Sequence, residues 1–261
     1  MRYRFARFFL LLGTAVLLAA CSQIPVRNSD STSAAVPALG TQWGEERDSR
    51  VVTVRARRVA PDRPDDVAQL FYNDADGVRA KVGASPERQL NTLMAQGHVE
   101  WSVRDEADRP LPLERARRGP DGALNIVGRQ GARYVLVFNN LSDDAYEVVA
   151  TVDGLDVLNG QSGSITNSGY VLYPHGTLRI EGFRKSDSEV AAFRFSAADR
   201  AYAANTPSGD ARNIGVIGAA LFRLEMPDSQ RTLRNGPAVS RPKAFPADGN
   251  RSYAPPPDYR K

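Results

Sequence analysis

Short apolar segments separated by turn residues run from Arg133 to Glu225. They are rich in β-branched and aromatic side chains, a composition typical of strands. One segment, Tyr134 to Phe138, is apolar on both faces, which predicts a central strand covered on both sides. The pattern predicts a mainly β fold in which residues 130–225, or about 133–225, form an antiparallel β-sandwich-like domain. The expected strands are residues 134–139, 146–152, 170–173, 177–183, 189–196 and 214–224.

Turn residues divide these segments. The Asp-Gly pair at 153–154 favours a type I′ hairpin turn, in which both central residues take positive φ. Residues 173–176 place proline and glycine at turn positions. Gly215 and Gly218 lie in an apolar run that lacks the residues of a phosphate-binding loop, so they indicate a bulge or a close backbone approach in a buried strand.

A second lobe, residues 45–129, is expected to precede this domain. Residues 52–56 alternate apolar with polar side chains, as a half-buried strand with a basic outer face does. The glycines at 128 and 131 mark the expected boundary between the lobes, and a single continuous sandwich over residues 45–225 is the alternative. The other strands expected in this lobe are residues 67–72, 98–104 and 123–127.

One short helix, residues 86–96, is predicted in the N-terminal lobe. Ser85 is a good N-cap, Pro86 suits the first helical position, and Gly97 is a typical stop. Three apolar residues recur at helical spacing: Leu90, Leu93 and Met94.

The first 20 residues have the pattern of a secretory signal, with three arginines followed by an apolar run. Leu18-Ala19-Ala20-Cys21 resembles the lipobox of bacterial lipoproteins, in which the cysteine is acylated after cleavage. Ser22 at the next position implies export to the outer membrane in that class. The resemblance predicts that Cys21 carries palmitate or a similar acyl chain and anchors the protein to the membrane, where it faces the periplasm or the cell surface.

The segments that flank the patterned region have little apolar content. Residues 21–44 are dominated by small and polar side chains and predict a disordered tether. Residues 226–261 contain seven prolines and seven basic residues against three acidic ones, which predicts a disordered tail.

The net charge does not indicate a nucleic-acid partner. Three of the 34 basic residues belong to the signal peptide, which leaves 31 against 30 acidic residues. Arg55, Arg57 and Arg58 lack the interleaved aromatic residues that stack on bases, so they are interpreted as a solvated face.

No identifiable catalytic or cofactor motif occurs in the chain. His98 and His175 are the only histidines, and neither has the spacing of a zinc site. Ser162 and Ser164 are not part of a nucleophile elbow. The sequence therefore predicts no catalytic residue, no cofactor and no metal ligand, and a carboxylate pair drawn from distant positions is the one catalytic arrangement that it leaves open.

Asp153, Asp156 and Asn159 recur every third position and offer three oxygen ligands for a hard cation. Their spacing matches no known calcium loop, and the same residues are favoured in turns. Both interpretations stay open at this point.

Four segments look like a block found in uncharacterised bacterial exported proteins, many of them lipoproteins. They are VDGLDVLNG at 152–160, GYVLYPHGTLRIEGFR at 169–184, VAAFRFS at 190–196 and NIGVIGAALF at 213–222. The block covers most of the second lobe and implies no activity, cofactor or site residue.

Three classes of function follow from these observations. The first is a non-catalytic cell-envelope lipoprotein that binds a protein or a cell-wall component, or serves as a structural module. The second is a periplasmic inhibitor or immunity-type lipoprotein that blocks a hydrolase. The third, an envelope hydrolase, needs clustered acid and base residues in a pocket.

Overall fold

The computed structural model describes residues 37–117 and 122–226, all within one compact unit. The predicted signal peptide, Cys21 and nearly all of the predicted tail lie outside the described residues. The fold is mainly β, with one α-helix and four short 3₁₀ turns in the described part of the chain. The prediction of a mainly β, antiparallel, sandwich-like fold is confirmed.

Sixteen strands and one helix are described, in chain order. They are β1 Leu39–Asp48, β2 Arg57–Arg58, β3 Asp66–Asn73, α1 Ala75–Val82, β4 Glu87–Gln89, β5 Thr92–Met94, β6 Val99–Arg104, β7 Leu113–Arg115, β8 Leu124–Val127, β9 Val135–Asn140, β10 Ala145–Val152, β11 Leu155–Asp156, β12 Tyr170–Leu172, β13 Thr177–Ile180, β14 Gly182–Arg184, β15 Glu189–Ala197 and β16 Val216–Glu225.

The strands form three sheets. The largest has nine strands in the order β11-β10-β16-β3-β8-β7-β4, with β12 also paired to β10 and β2 to β16. The second has the order β13-β9-β6-β5, and the third β1-β15-β14. Every ladder is antiparallel except that between β3 and β8.

One hydrophobic core joins the three sheets. Tyr134, just before β9, stacks on Phe193 and Phe195 of β15, with ring centroids 5.3 and 4.5 Å apart. Tyr72 of β3 lies 5.3 Å from Phe195, and all four rings are almost fully buried. Burying such rings stabilises a fold by about 1.5–3 kcal/mol each. The core is therefore shared among segments that are distant in the chain.

The predicted division into two lobes is not followed by the hydrogen bonding. β3, from the expected N-terminal lobe, pairs with β16 along six residue pairs. β6 of the same lobe pairs with β9 across the expected boundary near Gly128 and Gly131. Strands of both lobes therefore share two sheets, and one hydrophobic core contains residues of both.

The predicted helix at 86–96 is wrong. Residues 87–89 and 92–94 are strands that pair with β7 and β6, and within the second strand Met94 is fully buried while Leu93 is 59% exposed. The helix lies earlier, at 75–82. The Asp74 carboxylate caps it by accepting from the Gly77 N–H at 2.8 Å, and Val78 packs into the protein.

The tether prediction is wrong for residues 39–44, which begin the long strand β1. Leu39 is 3% exposed and Thr41 fully buried, and Trp43 packs on Tyr202 at 4.9 Å. Small residues are needed here because the chain is tightly packed: a Cβ on Gly40 would lie 2.5 Å from the Ala201 Cβ. A composition that resembles a linker thus serves close strand packing.

The strand predicted at 52–56 is also wrong. Val54 is buried and Arg55 exposed, as the alternation predicts, but Val52 is exposed and these residues have no ladder partner. The chain becomes a strand only at 57–58, where it reaches β16.

Candidate functional site

A buried polar network surrounds Asp153, at the hairpin turn between β10 and β11. Both turn residues have positive φ, 53° at Asp153 and 77° at Gly154, which agrees with the predicted type I′ turn. The carboxylate accepts hydrogen bonds from the Tyr72 hydroxyl at 2.5 Å, the Thr41 N–H at 2.7 Å and the Gly215 N–H at 2.8 Å. The turn is thereby joined to β1, β3 and the residue before β16.

The network continues through hydroxyl groups. Because Tyr72 donates to Asp153, the Thr41 hydroxyl donates to the Tyr72 oxygen at 2.8 Å and accepts from Tyr134 at 2.6 Å. Burial raises the pKa of Asp153 to about 6, although its hydrogen bonds act in the opposite direction. Burial also raises the pKa of Tyr72 and Tyr134 well above 10. These groups are satisfied by one another, so the network holds the sheets together.

The three residues considered as cation ligands do not form a ligand set. Asp156 accepts from the Leu158 and Asn159 N–H groups at 2.8 and 3.1 Å and from the Asn167 amide at 3.0 Å. Asp153 is occupied by the donors of its own network. Within residues 37–117 and 122–226, no three His, Cys, Asp or Glu side chains are grouped as a metal site would require.

The two histidines lie in separate, exposed places. His98 contacts the Tyr146 hydroxyl through Nδ1 at 2.9 Å, and His175 contacts Asp143 through Nε2 at 3.0 Å. His175 lies in the expected turn with φ 51°. Neither contact places a histidine beside Ser162, whose hydroxyl donates to the Ser208 carbonyl at 3.4 Å.

The basic residues at 55–58 divide into two kinds. Arg58 is half-buried: its guanidinium lies 3.7 Å from the Phe222 ring centre and donates to Glu147 at 2.7 Å. Arg57 pairs with Glu225 at the surface, and Arg55 is exposed. The expectation of a simple solvated face therefore holds for Arg55 and Arg57 but not for Arg58.

A surface cleft of about 70 Å³ is lined mainly by charged residues, and we call it the arginine cleft. β1, β9, β13 and β15 supply its walls, together with the loop after β6 and the residue between β13 and β14. Its charged lining consists of Arg47, Asp105, Glu106, Arg133, Arg179 and Glu181.

Most of these charges neutralise one another. Arg133 donates to Glu106 at 2.8 Å and contacts Glu45 at 2.9 Å. The hydrogen bond from Arg133 lowers the pKa of Glu106 to about 2. Arg179 pairs with Asp108 at 2.7 Å and lowers its pKa. These carboxylates are therefore ionised at neutral pH.

Arg47 and Glu181 have no such partner. Neither forms an ion pair or a side-chain hydrogen bond within the described part of the chain, although both line the cleft. Arg47 offers guanidinium N–H donors, and Glu181 offers carboxylate acceptors. The arginine cleft can therefore receive a ligand group that carries both an acceptor anion and a donor cation.

Sequence reasoning missed this cleft. Its residues come from positions as distant as 47 and 181, and no local motif connects them. The local signal is limited to Arg47 following two acidic residues, at the start of the lobe that the sequence pattern predicts for residues 45–129.

None of the helices in the described ranges is long and apolar enough to cross a membrane. No protein-family model, curated protein or solved structure matches the chain. The resemblance of the segments between 152 and 222 to uncharacterised exported proteins therefore stays a prediction.

Proposed function

We propose that this protein is a non-catalytic lipoprotein of the cell envelope, anchored in the outer membrane through Cys21, that binds a partner through the arginine cleft. The observation that carries the binding role is the unpaired cation and carboxylate, Arg47 and Glu181, in one small cleft. The leader sequence supports the anchor.

The pKa values favour binding over catalysis. A glycosidase-type mechanism needs one carboxyl group with a raised pKa as general acid. In the arginine cleft, hydrogen bonds from Arg133 and Arg109 lower the pKa values of Glu106 and Asp105. The carboxyl whose pKa is raised to about 6, Asp153, is 1% exposed and fully hydrogen-bonded. The acid and the accessible site are thus in different places.

The chemistry of the cleft fits a zwitterionic group of a cell-wall peptide. Such a group presents a carboxylate to Arg47 and an ammonium to Glu181, and each contact is a charge-assisted hydrogen bond. Loss of one such bond costs about 1.5–3 kcal/mol, which is roughly 10- to 150-fold in affinity.

Binding to purified cell-wall material tests the proposal. The mature chain from residue 21 carries Cys21→Ser in this test so that it is not acylated. It should bind the cell-wall material with a single dissociation constant. Arg47→Ala and Glu181→Gln should each weaken binding about tenfold or more. Arg79→Ala, which makes the same charge change as Arg47→Ala at an exposed position of α1, should have no effect. If both cleft variants bind as the wild type does, the binding role of the cleft is wrong.

The same variants separate the alternative functions. Capture of one stoichiometric hydrolase from envelope extract, with loss of its activity and dependence on Arg47, would favour the inhibitor hypothesis. Hydrolysis of cell-wall material by the purified chain would favour an enzyme.

The anchor needs its own experiment. Radiolabelled palmitate should enter the wild-type protein and not Cys21→Ser. After a high-salt wash, which removes electrostatically bound protein, only the wild type should stay with the outer membranes. A Cys21→Ser protein that resists this wash would contradict the anchor.

A further inference from the structure

Residues 50–63, which we call the basic segment, cross one end of the fold. At its start, the Val51 N–H donates to the Asp187 carbonyl at 2.9 Å, beside the β14–β15 hairpin. Further along, the Val59 N–H donates to the Arg223 carbonyl at 2.9 Å, and β2 pairs with the end of β16. The segment therefore spans from the three-stranded sheet to the nine-stranded sheet.

The basic segment itself carries more positive than negative charge. It contains five arginines and a single acidic residue, Asp62. Arg57 and Arg58 are paired with Glu225 and Glu147. Three arginines remain exposed and form no ion pair or side-chain hydrogen bond within the residues that the structure places: Arg50, Arg55 and Arg63.

Apolar side chains are exposed between these arginines. Val52 is 49% and Val59 44% exposed, whereas Val54 between them is 6% exposed and holds the segment to the core. Ile165, 41% exposed, adjoins the segment because the Arg58 guanidinium donates to its carbonyl at 2.9 Å. Three of the seven exposed large apolar residues among those described thus lie at this end.

We infer that the basic segment docks this end of the fold onto an anionic lipid bilayer. Guanidinium groups bind lipid phosphates through paired N–H donors, and isolated valines and isoleucines enter the boundary between headgroups and acyl chains. A soluble acidic partner would account for the arginines but gives no role to the exposed apolar residues. A nucleic acid would also require stacking aromatic residues, which residues 50–63 lack.

Two further facts favour a membrane as the occupant. The chain continues from Met226, beside Arg55 and Arg57, for 35 residues that carry seven basic and three acidic side chains. Fifteen residues separate Cys21 from Pro37, and their extended reach, roughly 55 Å, exceeds the roughly 33 Å length of a ten-residue strand such as β1. An anchor at Cys21 therefore permits contact at either end of the fold.

This inference rests on the proposed envelope location but not on the arginine cleft. Its test uses the mature chain with Cys21→Ser, so a failure of the lipid anchor does not affect the result. The protein is sedimented with vesicles of phosphatidylglycerol and phosphatidylethanolamine, or with neutral phosphatidylcholine vesicles. We expect clear binding to the anionic vesicles only, and weaker binding at high salt because the attraction is electrostatic.

Matched variants identify the surface. Arg50→Gln, Arg55→Gln and Arg63→Gln together should reduce vesicle binding roughly 100-fold, since each arginine at an anionic surface contributes about fivefold. The control carries the same charge change at exposed arginines elsewhere: Arg79→Gln, Arg109→Gln and Arg212→Gln. The control should retain most of the binding, and both proteins should unfold at the wild-type midpoint.

Val59→Trp provides a direct reading of contact. The emission of this tryptophan should shift to shorter wavelength on anionic vesicles, because the side chain enters an apolar region. In a purely electrostatic complex the tryptophan would stay in water and its emission would not shift. The inference is overturned if the control triple variant loses as much binding as the first, if Val59→Trp shows no shift on bound protein, or if soluble polyanions bind while vesicles do not.

Discussion

Replacing Asp153 by asparagine should change how the stability of the protein depends on pH. The carboxyl is fully buried, and burial raises its pKa from the ordinary 3.8 to about 6. Below about pH 4 the group is protonated in both the folded and the unfolded chain. As the pH rises through 6, the unfolded chain has already released the proton and the folded chain must do so at a cost. The difference between the two pKa values corresponds to about 3 kcal/mol of unfolding free energy, which is lost over this range.

Asparagine removes this titration but introduces a constant penalty. Oδ1 of Asp153 accepts from Tyr72 and Gly215 and Oδ2 accepts from Thr41, so an amide nitrogen must face one backbone N–H group. Two facing donors leave a buried group unsatisfied, which costs about 1–3 kcal/mol at every pH. Asp153→Asn should therefore be less stable than the wild type at pH 4. The difference in unfolding free energy between the two proteins, which we call the gap, should narrow by about 2–3 kcal/mol by pH 7.5.

Urea unfolding of the two proteins at half-unit steps from pH 4 to pH 7.5 measures this gap. Asp210→Asn is the control, because Arg212 lowers the pKa of Asp210 to about 2 and the exposed carboxylate stays ionised in the folded state throughout. Its gap should stay nearly constant above pH 4.5. If the Asp153→Asn gap instead stays constant or widens with pH, the three donors outweigh burial, and the reasoning that Asp153 has a raised pKa is wrong.

Two further outcomes are expected. Tyr72→Phe should destabilise the protein by about 1–3 kcal/mol. It should also raise the pKa of Asp153 further, as followed by carboxyl NMR, because it removes a hydrogen bond that lowers this pKa. Tyr134 does not contact Asp153, so Tyr134→Phe should leave that pKa almost unchanged. A chain of residues 37–226 should unfold cooperatively in urea. Residues 45–226 lack the first half of β1, so this shorter chain should give a broad unfolding transition and poorly dispersed NMR signals. A cooperative transition for the shorter chain would contradict the role given to β1.

Local patterns in the sequence predict a large part of the fold. β10, β15 and β16 are found within two residues of the expected bounds, because long alternating or continuous apolar runs are strong strand signals. The hairpin turn at 153–154 is predicted because only a few residue pairs adopt positive φ twice in succession. These features are determined by residues that are neighbours in the chain, so local sequence patterns are enough to predict them.

Features that depend on distant partners could not be predicted. Residues 86–96 have helix-like caps and spacing, yet pairing with β6 and β7 selects a strand, because local propensity is weaker than ladder formation. Residues 39–44 look like a linker, and only the close packing of Gly40 on Ala201 shows why small residues are needed there. The arginine cleft is likewise assembled from four strands and two loops.

The partners of Asp153 are also distant in the chain, so the sequence alone does not distinguish a cation ligand from a hydrogen-bonded turn residue. Spacing by three positions brings Asp153, Asp156 and Asn159 close in sequence, but the turn directs the two carboxylates to different donors. A buried carboxylate needs either a cation or several N–H or O–H donors. Thr41, Tyr72 and Gly215 supply the donors, and they lie 112, 81 and 62 positions from the turn.

β1 connects the features on which the proposals depend. Thr41 joins the Asp153 network, and Arg47, six residues later, lines the arginine cleft before the chain enters the basic segment at residue 50. At the other end of β1, 15 residues lead back to Cys21. β1 pairs with β15 through eight residue pairs, with an irregularity between Trp43 and Glu46. Arg47 lies opposite Val190 in this ladder, so the pairing fixes its position relative to the core. A lipid anchor before β1 and a membrane contact after it would therefore act on a strand that is held along most of its length.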